Sequence, residues 1–389
     1  MHDHKPDSLS WQLFAITLAR LCFNVVWRMV YPFAPALARG MGVELTAVYQ
    51  LISIRNFTAF FSPIFGPWSE RYGRKPILLA TMTLFIITST ALFLWPGYTL
   101  LGIVLATIAI SKFVFDPAMQ AYLGDAVPYH QRGKAIALTE TAWSLALLAG
   151  APLVGFILSR SAWQTPFFWL ALLGLVALVL LWRTIPPSRI TYTNSLSLIQ
   201  LKTTLTQNPV VLAAVSHVLL VMLANEIFFI TYGEWMETTF NLALAGLGLA
   251  SGLVGGAEIS GELLAGWSVD RFGKQRVIII TGTVTAVFYT LIPFLAHSLT
   301  TAITLLALLF IFFEITVVGG IPLLTEIMPS ARGIVMSLIL GAAALGRTIG
   351  SLIGPRLAQW GGFTTNGLAA TIIMLLAVII LIYGIPKEK

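Results

Sequence analysis

The chain has 389 residues, of which 57% are apolar and only 10% charged, and its mean hydropathy is +0.87. No soluble globular domain of this length has that balance, so the bilayer is its solvent. The net charge of +7 and the single cysteine, Cys22, exclude intrachain disulfides but leave open what the bases are for.

The first ten residues, MHDHKPDSLS, have no basic cluster, short apolar core and small-residue cleavage site in succession, so no cleaved signal peptide is expected. His2 and His4 stand in this polar tail without further ligands, and no metal site is expected. A span needs roughly 20 apolar residues to cross about 30 Å of hydrocarbon. Twelve such segments follow, at 11–38, 47–67, 77–95, 99–121, 135–158, 166–184, 209–232, 243–266, 277–296, 300–324, 334–359 and 364–385.

Span 1 carries Arg20, Asn24, Arg28 and Tyr31 at intervals of four, four and three, a single polar stripe on a helix. Trp27 lies within that stripe, and span 2 adds Arg55. Span 4 holds Lys112 and Asp116 one turn apart, which predicts a structural ion pair. Glu140, near the start of span 5, reads as interfacial, and Trp143 as either a cavity or a core residue. The polar stretch 185–208 joins two halves. Span 7 offers His217, expected to be a hydrogen-bonded packing residue, with Asn225 and Glu226. Span 8 places Glu258 and Glu262 one turn apart on one face, span 10 holds Glu314, and span 11 holds Arg347. Gly248, Gly252 and Gly256 on span 8, and Gly346, Gly350 and Gly354 on span 11, recur every fourth residue and predict close helix contact between the halves.

Two loops repeat. GPWSERYGRKP after span 2 aligns with GWSVDRFGKQR after span 8 at an offset of 200, so Gly66 meets Gly266, Glu70 meets Asp270, Arg71 meets Arg271 and Gly73 meets Gly273. GDAVPYHQRGKA after span 4 matches TEIMPSARGIV after span 10, with Asp125 against Glu326 and Pro128 against Pro329. The chain therefore divides into 1–184, a linker 185–208, and 209–389, each half of six spans. With the N-terminus inside, fifteen of the 23 basic residues fall on the cytoplasmic side. The positive charge is then a topology signal that puts both termini in the cytoplasm, and no nucleic-acid partner is expected.

Gly66, Glu70, Arg71, Tyr72, Gly73, Arg74 and Lys75 resemble the signature loop of the major facilitator superfamily, with Glu where Asp is usual. The resemblance covers nearly the whole chain. It implies an all-α membrane fold of twelve helices in two pseudo-symmetric six-helix bundles, with helices 1, 4, 7 and 10 around a cavity and every third helix outside. Helix 5 would meet helix 8, and helix 2 helix 11, across the halves. Gly66, Glu70, Arg71, Gly73, Arg74, Lys75, Asp270, Arg271 and Gly273 would act as gating loops. YPFAP, Tyr31 to Pro35, and GAPLVG, with Gly150, Pro152 and Gly155, are similar to the drug and proton antiporter branch. The arginine that this branch carries early in helix 4 has no counterpart in GIVLATIAISKF.

Ten ionisable side chains lie well within the spans, and spans 3, 6, 9 and 12 have none in their interiors. Charges are costly in hydrocarbon and mark protein- or water-facing helices, so these four are expected outside. The first half holds Arg20, Arg28, Arg55 and Lys112 with Asp116; the second holds Glu226, Glu258, Glu262 and Glu314 with Arg347. Arg20, Asn24, Trp27, Arg28, Tyr31, Arg55, Asn225, Glu226 and Glu314 are the candidate substrate contacts, and Glu226, Glu258 and Glu262 the candidate proton carriers. The expected function is secondary active transport of a small polar or amphipathic solute by a monomer in the cell membrane, driven by a proton gradient and directed outward, without a bound cofactor. Facilitative exchange of a zwitterionic metabolite, lipid translocation, or a receptor or scaffold role are the alternatives. No nucleophile with an oriented base and no phosphate loop suggests an enzyme.

Overall fold

The computed structural model describes residues 9–61, 71–187, 198–328 and 332–386. Among the described residues there is no strand, as expected where every backbone polar group must be satisfied within its own helix. The helices are α1 Leu9–Met41, α2 Leu45–Ala59, α3 Arg74–Leu94 and α4 Tyr98–Ala126. α5 runs as Tyr129–Leu145, a π-helical turn Ala146–Gly150, and Ala151–Leu158. α6 is Thr165–Thr184, and a linker helix Leu198–Gln207 follows. α7 runs Pro209–Phe229 and resumes as Tyr232–Phe240. α8 is Leu244–Phe272, α9 Lys274–Leu295 and α10 Leu299–Glu326. Arg332–Gly384 is continuous but for non-helical dihedrals at Gly361 and Gly362, which separate α11 from α12.

Ten described helices are long and apolar enough to cross a membrane. The last of them contains both α11 and α12, and α2 is described for 15 residues of its predicted span. The second half of α7 is absent from the predicted spans. Its break after Phe229 is held by α12, where Asn366 Nδ2 donates to Ile227 O at 2.8 Å and to Thr231 Oγ1 at 3.0 Å. Asn241, in the left-handed region at φ 51°, ends the extension.

The two halves repeat at the level of the backbone. Gly73 and Gly273 precede α3 and α9 with φ of 88° and 85°, a conformation that L-residues with a Cβ rarely adopt. Arg74 pairs with Asp125, and Lys274 with Glu326. The 200-residue offset is thus carried by turn geometry and by a matched ion pair in each lobe. Gly66, Glu70 and Pro329 lie outside the described residues.

α1 buries 78% of its most apolar window and α7 61%, whereas α3 and α6 bury 39% each. The charge-free spans 3 and 6 are therefore peripheral and α1 and α7 central. Across the lobes, α5 packs on α8 and α2 on α11. A Cβ on Gly248 would sit 2.6 Å from Ala151 O, and one on Gly155 2.5 Å from Leu244 O. The π-helical turn of α5 lies where Gly255 approaches the Leu148 backbone. One expectation is corrected: the Gly346, Gly350 and Gly354 stripe faces α7 inside its own lobe, against Leu219, Glu226 and Ile230. A four-residue spacing marks a smooth face and does not say which neighbour it serves.

Candidate functional site

A cavity of about 840 Å³ lies between the lobes, within the range of small-molecule sites. Its depth is set by Trp27, Arg28, Tyr31, Asn225, Glu226 and Phe229. Its mouth is formed by Lys134 and Leu138 of α5, Ile321 of α10 and Leu340 of α11, so it opens on the face that carries Gly73 and Gly273. The far face is closed by contacts between the lobes. Arg39 pairs with Glu237 at 2.7 Å, Tyr49 donates to Glu234 at 3.0 Å, and Gly233 abuts the carbonyl oxygens of Tyr31 and Pro32.

Two polar bridges span the depth of the cavity. Arg28 of α1 forms a bidentate pair with Glu258 of α8, with Nη1 on Oε2 and Nη2 donating to Oε1 at 2.5 Å. Such a fork pairing is geometrically specific. Glu226 of α7 accepts from Tyr31 Oη at 2.9 Å and from Asn56 Nδ2 at 3.0 Å. Arg55 stands behind this second bridge, 1% exposed. It donates to Trp27 O at 2.5 Å, Tyr31 Oη at 2.8 Å and Asn56 Oδ1 at 2.9 Å, and lies 4.0 Å from the Trp27 ring centroid. Arg55 thus orients Tyr31 and Asn56 without itself lining the cavity.

Lys112 and Asp116 pair at 2.6 Å as the spacing predicts, and Arg20 joins them. Arg20 reaches Asp116 at 3.2 Å, Glu140 at 2.8 Å and Thr139 O at 2.9 Å. Arg20, Lys112 and Glu140 line the cavity from one wall. Ser144 Oγ of α5 donates across the lobes to Glu262 Oε1 of α8 at 2.5 Å, and within the second lobe Tyr289 Oη donates to Asn225 Oδ1 at 3.2 Å. Glu314, 6% exposed, makes no hydrogen bond or ion pair among the described residues. Asn24 is fully buried away from the cavity wall, with both amide atoms unpartnered among the described residues. His217 Nδ1 is bonded to Ala377 O at 2.9 Å, a packing contact between α7 and α12.

Trp143 emerges at the centre of the site. Its ring centroid lies 4.5 Å from the Arg28 guanidinium, 5.7 Å from that of Arg347 and 6.0 Å from Lys112 Nζ. Its position three residues after Glu140 on span 5 was the available signal. Asn56 follows Arg55 directly and belongs to no charged stripe in span 2, so no charge periodicity marks it, although a buried amide is also costly to leave unpaired. Among the gating-loop residues, Arg74 pairs inside its lobe with Asp125, and Lys75 Nζ donates to Trp182 O at 2.6 Å. Arg71 lies 5.4 Å from the Tyr72 ring, and Arg271 5.7 Å from that of Trp267. Asp270 is exposed. Among the described residues, Arg71, Asp270 and Arg271 make no ion pair across the lobes.

The Major Facilitator Superfamily model matches residues 16–218 and 215–389. The chain is 27% identical over 367 residues to the uncharacterized MFS-type transporter YwfA of Bacillus subtilis (strain 168), covering 92% of this chain and 88% of that one. Among solved structures it resembles a D-xylose-proton symporter, with TM-score 0.79 and 19% identity over 98% of this chain and 99% of that one. A bacterial homolog to the human lysosomal transporter Spinster, inward-facing and occupied, gives TM-score 0.77 at 14% identity, with 96% of each chain covered. Family match and helix arrangement agree with the cavity between two lobes: the chain belongs to the Major Facilitator Superfamily, and is a multi-pass membrane transporter rather than an enzyme.

Proposed function

We propose that this chain is a secondary active transporter that exports a small polar or amphipathic solute, exchanging it for protons. The observation that carries the reading is the cavity itself, lined by charges from both lobes, open on one face and sealed on the other by contacts that only the opposite lobe can make. Arg71, Arg74, Lys75, Lys134, Arg271, Lys274 and Arg276 gather on the open side and argue that this face is cytoplasmic, so the state is inward-facing, with both termini in the cytoplasm of a cell-membrane protein. YPFAP and GAPLVG support a place near the drug and proton antiporters, and Gly155 of GAPLVG touches α8 at the seam between the lobes. Protons would be carried by the carboxylates of the second lobe. Glu258 is engaged by Arg28 and Glu226 by Tyr31 and Asn56, so protonation of either would loosen a bridge between the lobes.

A second reading is exchange of a zwitterion. Arg347 favours it: its guanidinium meets Met222 Sδ at 3.5 Å and has no carboxylate within ion-pair distance among the described residues. Proteoliposomes loaded with a panel of anions, cations and zwitterions, with and without an imposed pH gradient, test both. Proton-coupled export predicts solute movement that follows the gradient, with proton counterflow. Equal transport without the gradient and without counterflow rules it out.

A further inference from the structure

Arg55 is 1% exposed, and among the described residues it has no carboxylate within ion-pair distance. A guanidinium withdrawn from water needs a counter-charge, and here that charge reaches it through neutral groups. Arg55 Nη2 donates to Tyr31 Oη at 2.8 Å and to Asn56 Oδ1 at 2.9 Å. Tyr31 Oη donates onward to Glu226 Oε1 at 2.9 Å, and Asn56 Nδ2 donates to the same oxygen at 3.0 Å. Two neutral arms thus lead from a cation of the first lobe to a carboxylate of the second.

Arg55 fixes the direction of every bond in these arms. A guanidinium only donates, so Tyr31 Oη and Asn56 Oδ1 must accept from it. The phenol hydrogen and the amide Nδ2 are left to point at Glu226, and an ionised carboxylate accepts both. A protonated carboxyl accepts more weakly, and it needs an acceptor for its own O–H, which neither arm offers. Resting on the proton-coupled reading above, we infer that Arg55 is the positioning residue of the proton switch. Through Tyr31 and Asn56 it holds Glu226 in its acceptor-only form, and so ties the protonation of Glu226 to the parting of the lobes. A proton arriving through the cavity, which Glu226 lines, adds to the carboxylate, both arms lose their charged acceptor, and the far face is freed to open. Arg55 does this without meeting the solute.

The charged and titratable groups around Glu226 are Tyr31 from α1, Arg55 from α2 and Arg347 from α11. Arg347 belongs to the same lobe as Glu226 and moves with it, so its field on the carboxylate survives opening. Arg55 belongs to the other lobe, and its hold is lost when the lobes part. Glu258, Glu262 and Glu314 line the cavity from α8 and α10, and Arg28 is held by Glu258. The α7 extension commits Glu234 to Tyr49 and Glu237 to Arg39. α12 carries no charged residue from Phe363 to Gly384, and Tyr289 of α9 donates to Asn225. The linker helix adjoins the start of α7, about 25 Å along its axis from Glu226.

The test reads the far face directly. Glu44 and Ala243 are exposed there, at the starts of α2 and α8, and Cys22 is buried. Spin labels on Glu44→Cys and Ala243→Cys report the distance between the lobes by electron double resonance on the full-length protein in lipid nanodiscs, as a function of pH. The expected result is a short distance at high pH and a longer one that grows in as pH falls. With Arg55→Gln, which can accept as well as donate, the longer distance is expected at about a tenfold lower proton concentration. Arg55→Lys keeps a donor-only cation and is expected to restore most of the wild-type profile. Glu226→Gln is expected to show the longer distance at every pH, and Arg55→Gln is expected to add nothing to it, because Arg55 acts through Glu226. A wild-type distance that ignores pH, an Arg55→Gln profile equal to the wild type, or a further effect of Arg55→Gln beside Glu226→Gln overturns the inference. If Arg55→Gln does not yield monodisperse protein, Tyr31→Phe decides, since it cuts one arm and leaves the guanidinium in place: an unchanged profile overturns the inference. A distance that follows Arg55 and Glu226 as stated, in a protein that moves no solute in vesicles, overturns the transport reading alone. Solute and proton exchange with a wild-type pH profile in Arg55→Gln overturns this inference alone.

Discussion

At the scale of single residues, the Arg28–Glu258 pair connects the lobes through two buried side chains, 5% and 1% exposed. Burying two charges costs desolvation that their attraction roughly repays, so the pair adds little net stability, but leaving one member unpartnered costs on the order of 3 kcal/mol. Arg28→Gln and Glu258→Gln are therefore each expected to lower the apparent melting temperature of the detergent-purified protein by several degrees. The double variant, which buries no unpaired charge, should recover at least half of that loss. If the double variant is as unstable as the sum of the singles, the two residues do not act as a pair. Trp143 offers its face to the same arginine, a contact worth about 0.5–2 kcal/mol. Trp143→Ala should accordingly destabilise the protein and Trp143→Phe much less, as read by the same melting experiment.

Among the elements, the two glycine stripes serve different interfaces and predict different phenotypes. Gly248 meets the carbonyl of Ala151 across the lobes, a backbone atom that cannot turn aside. Gly248→Ala should hinder closure of the far face and leave each lobe intact. Gly346 meets Leu219 O on α7 inside one lobe, so Gly346→Ala should lower the melting temperature in every conformational state. The two are separated by measuring melting temperature beside the labelling of an Arg39→Cys reporter thiol on the far face: a fall in stability without a change in labelling is expected only for Gly346→Ala. This difference also marks the limit of reading helices from sequence. Spacing identified both stripes, the polar face of α1, the Lys112–Asp116 pair and the exposed position of the charge-free helices, because each is a property of one helix or of its solvent. Partners across helices were not legible. Glu258 and Glu262 share a face one turn apart, and only the approach of α1 and α5 gives Arg28 to the first and Ser144 to the second. The extension of α7 was hidden for the same reason, since its break is supported by Asn366, 139 residues from Ile227 along the chain.

For the whole molecule, the far-face seal is made of small, separable contacts, which suits a structure that has to open there. Arg39 and Glu237 have side chains 58% and 24% exposed, and an ion pair so wetted contributes at most about 1 kcal/mol. Arg39→Ala by itself should change transport less than twofold. A covalent tie at the same place is a different matter, because it forbids the lobes from parting at all. With Cys22 buried and the sequence otherwise free of cysteine, Arg39→Cys and Glu237→Cys can be joined by a flexible bis-methanethiosulfonate linker, cleavable by a reductant, with little background. The tied protein is expected to hold its cavity open on the face of Gly73 and Gly273, to keep Trp143 accessible from that face alone, and to lose transport by more than tenfold until the linker is cleaved. Undiminished transport by the tied protein would mean that the far face need not open. The seal formed by Arg39, Tyr49, Glu234 and Glu237 would then be permanent architecture, and solute would have to leave the cavity by the face through which it entered.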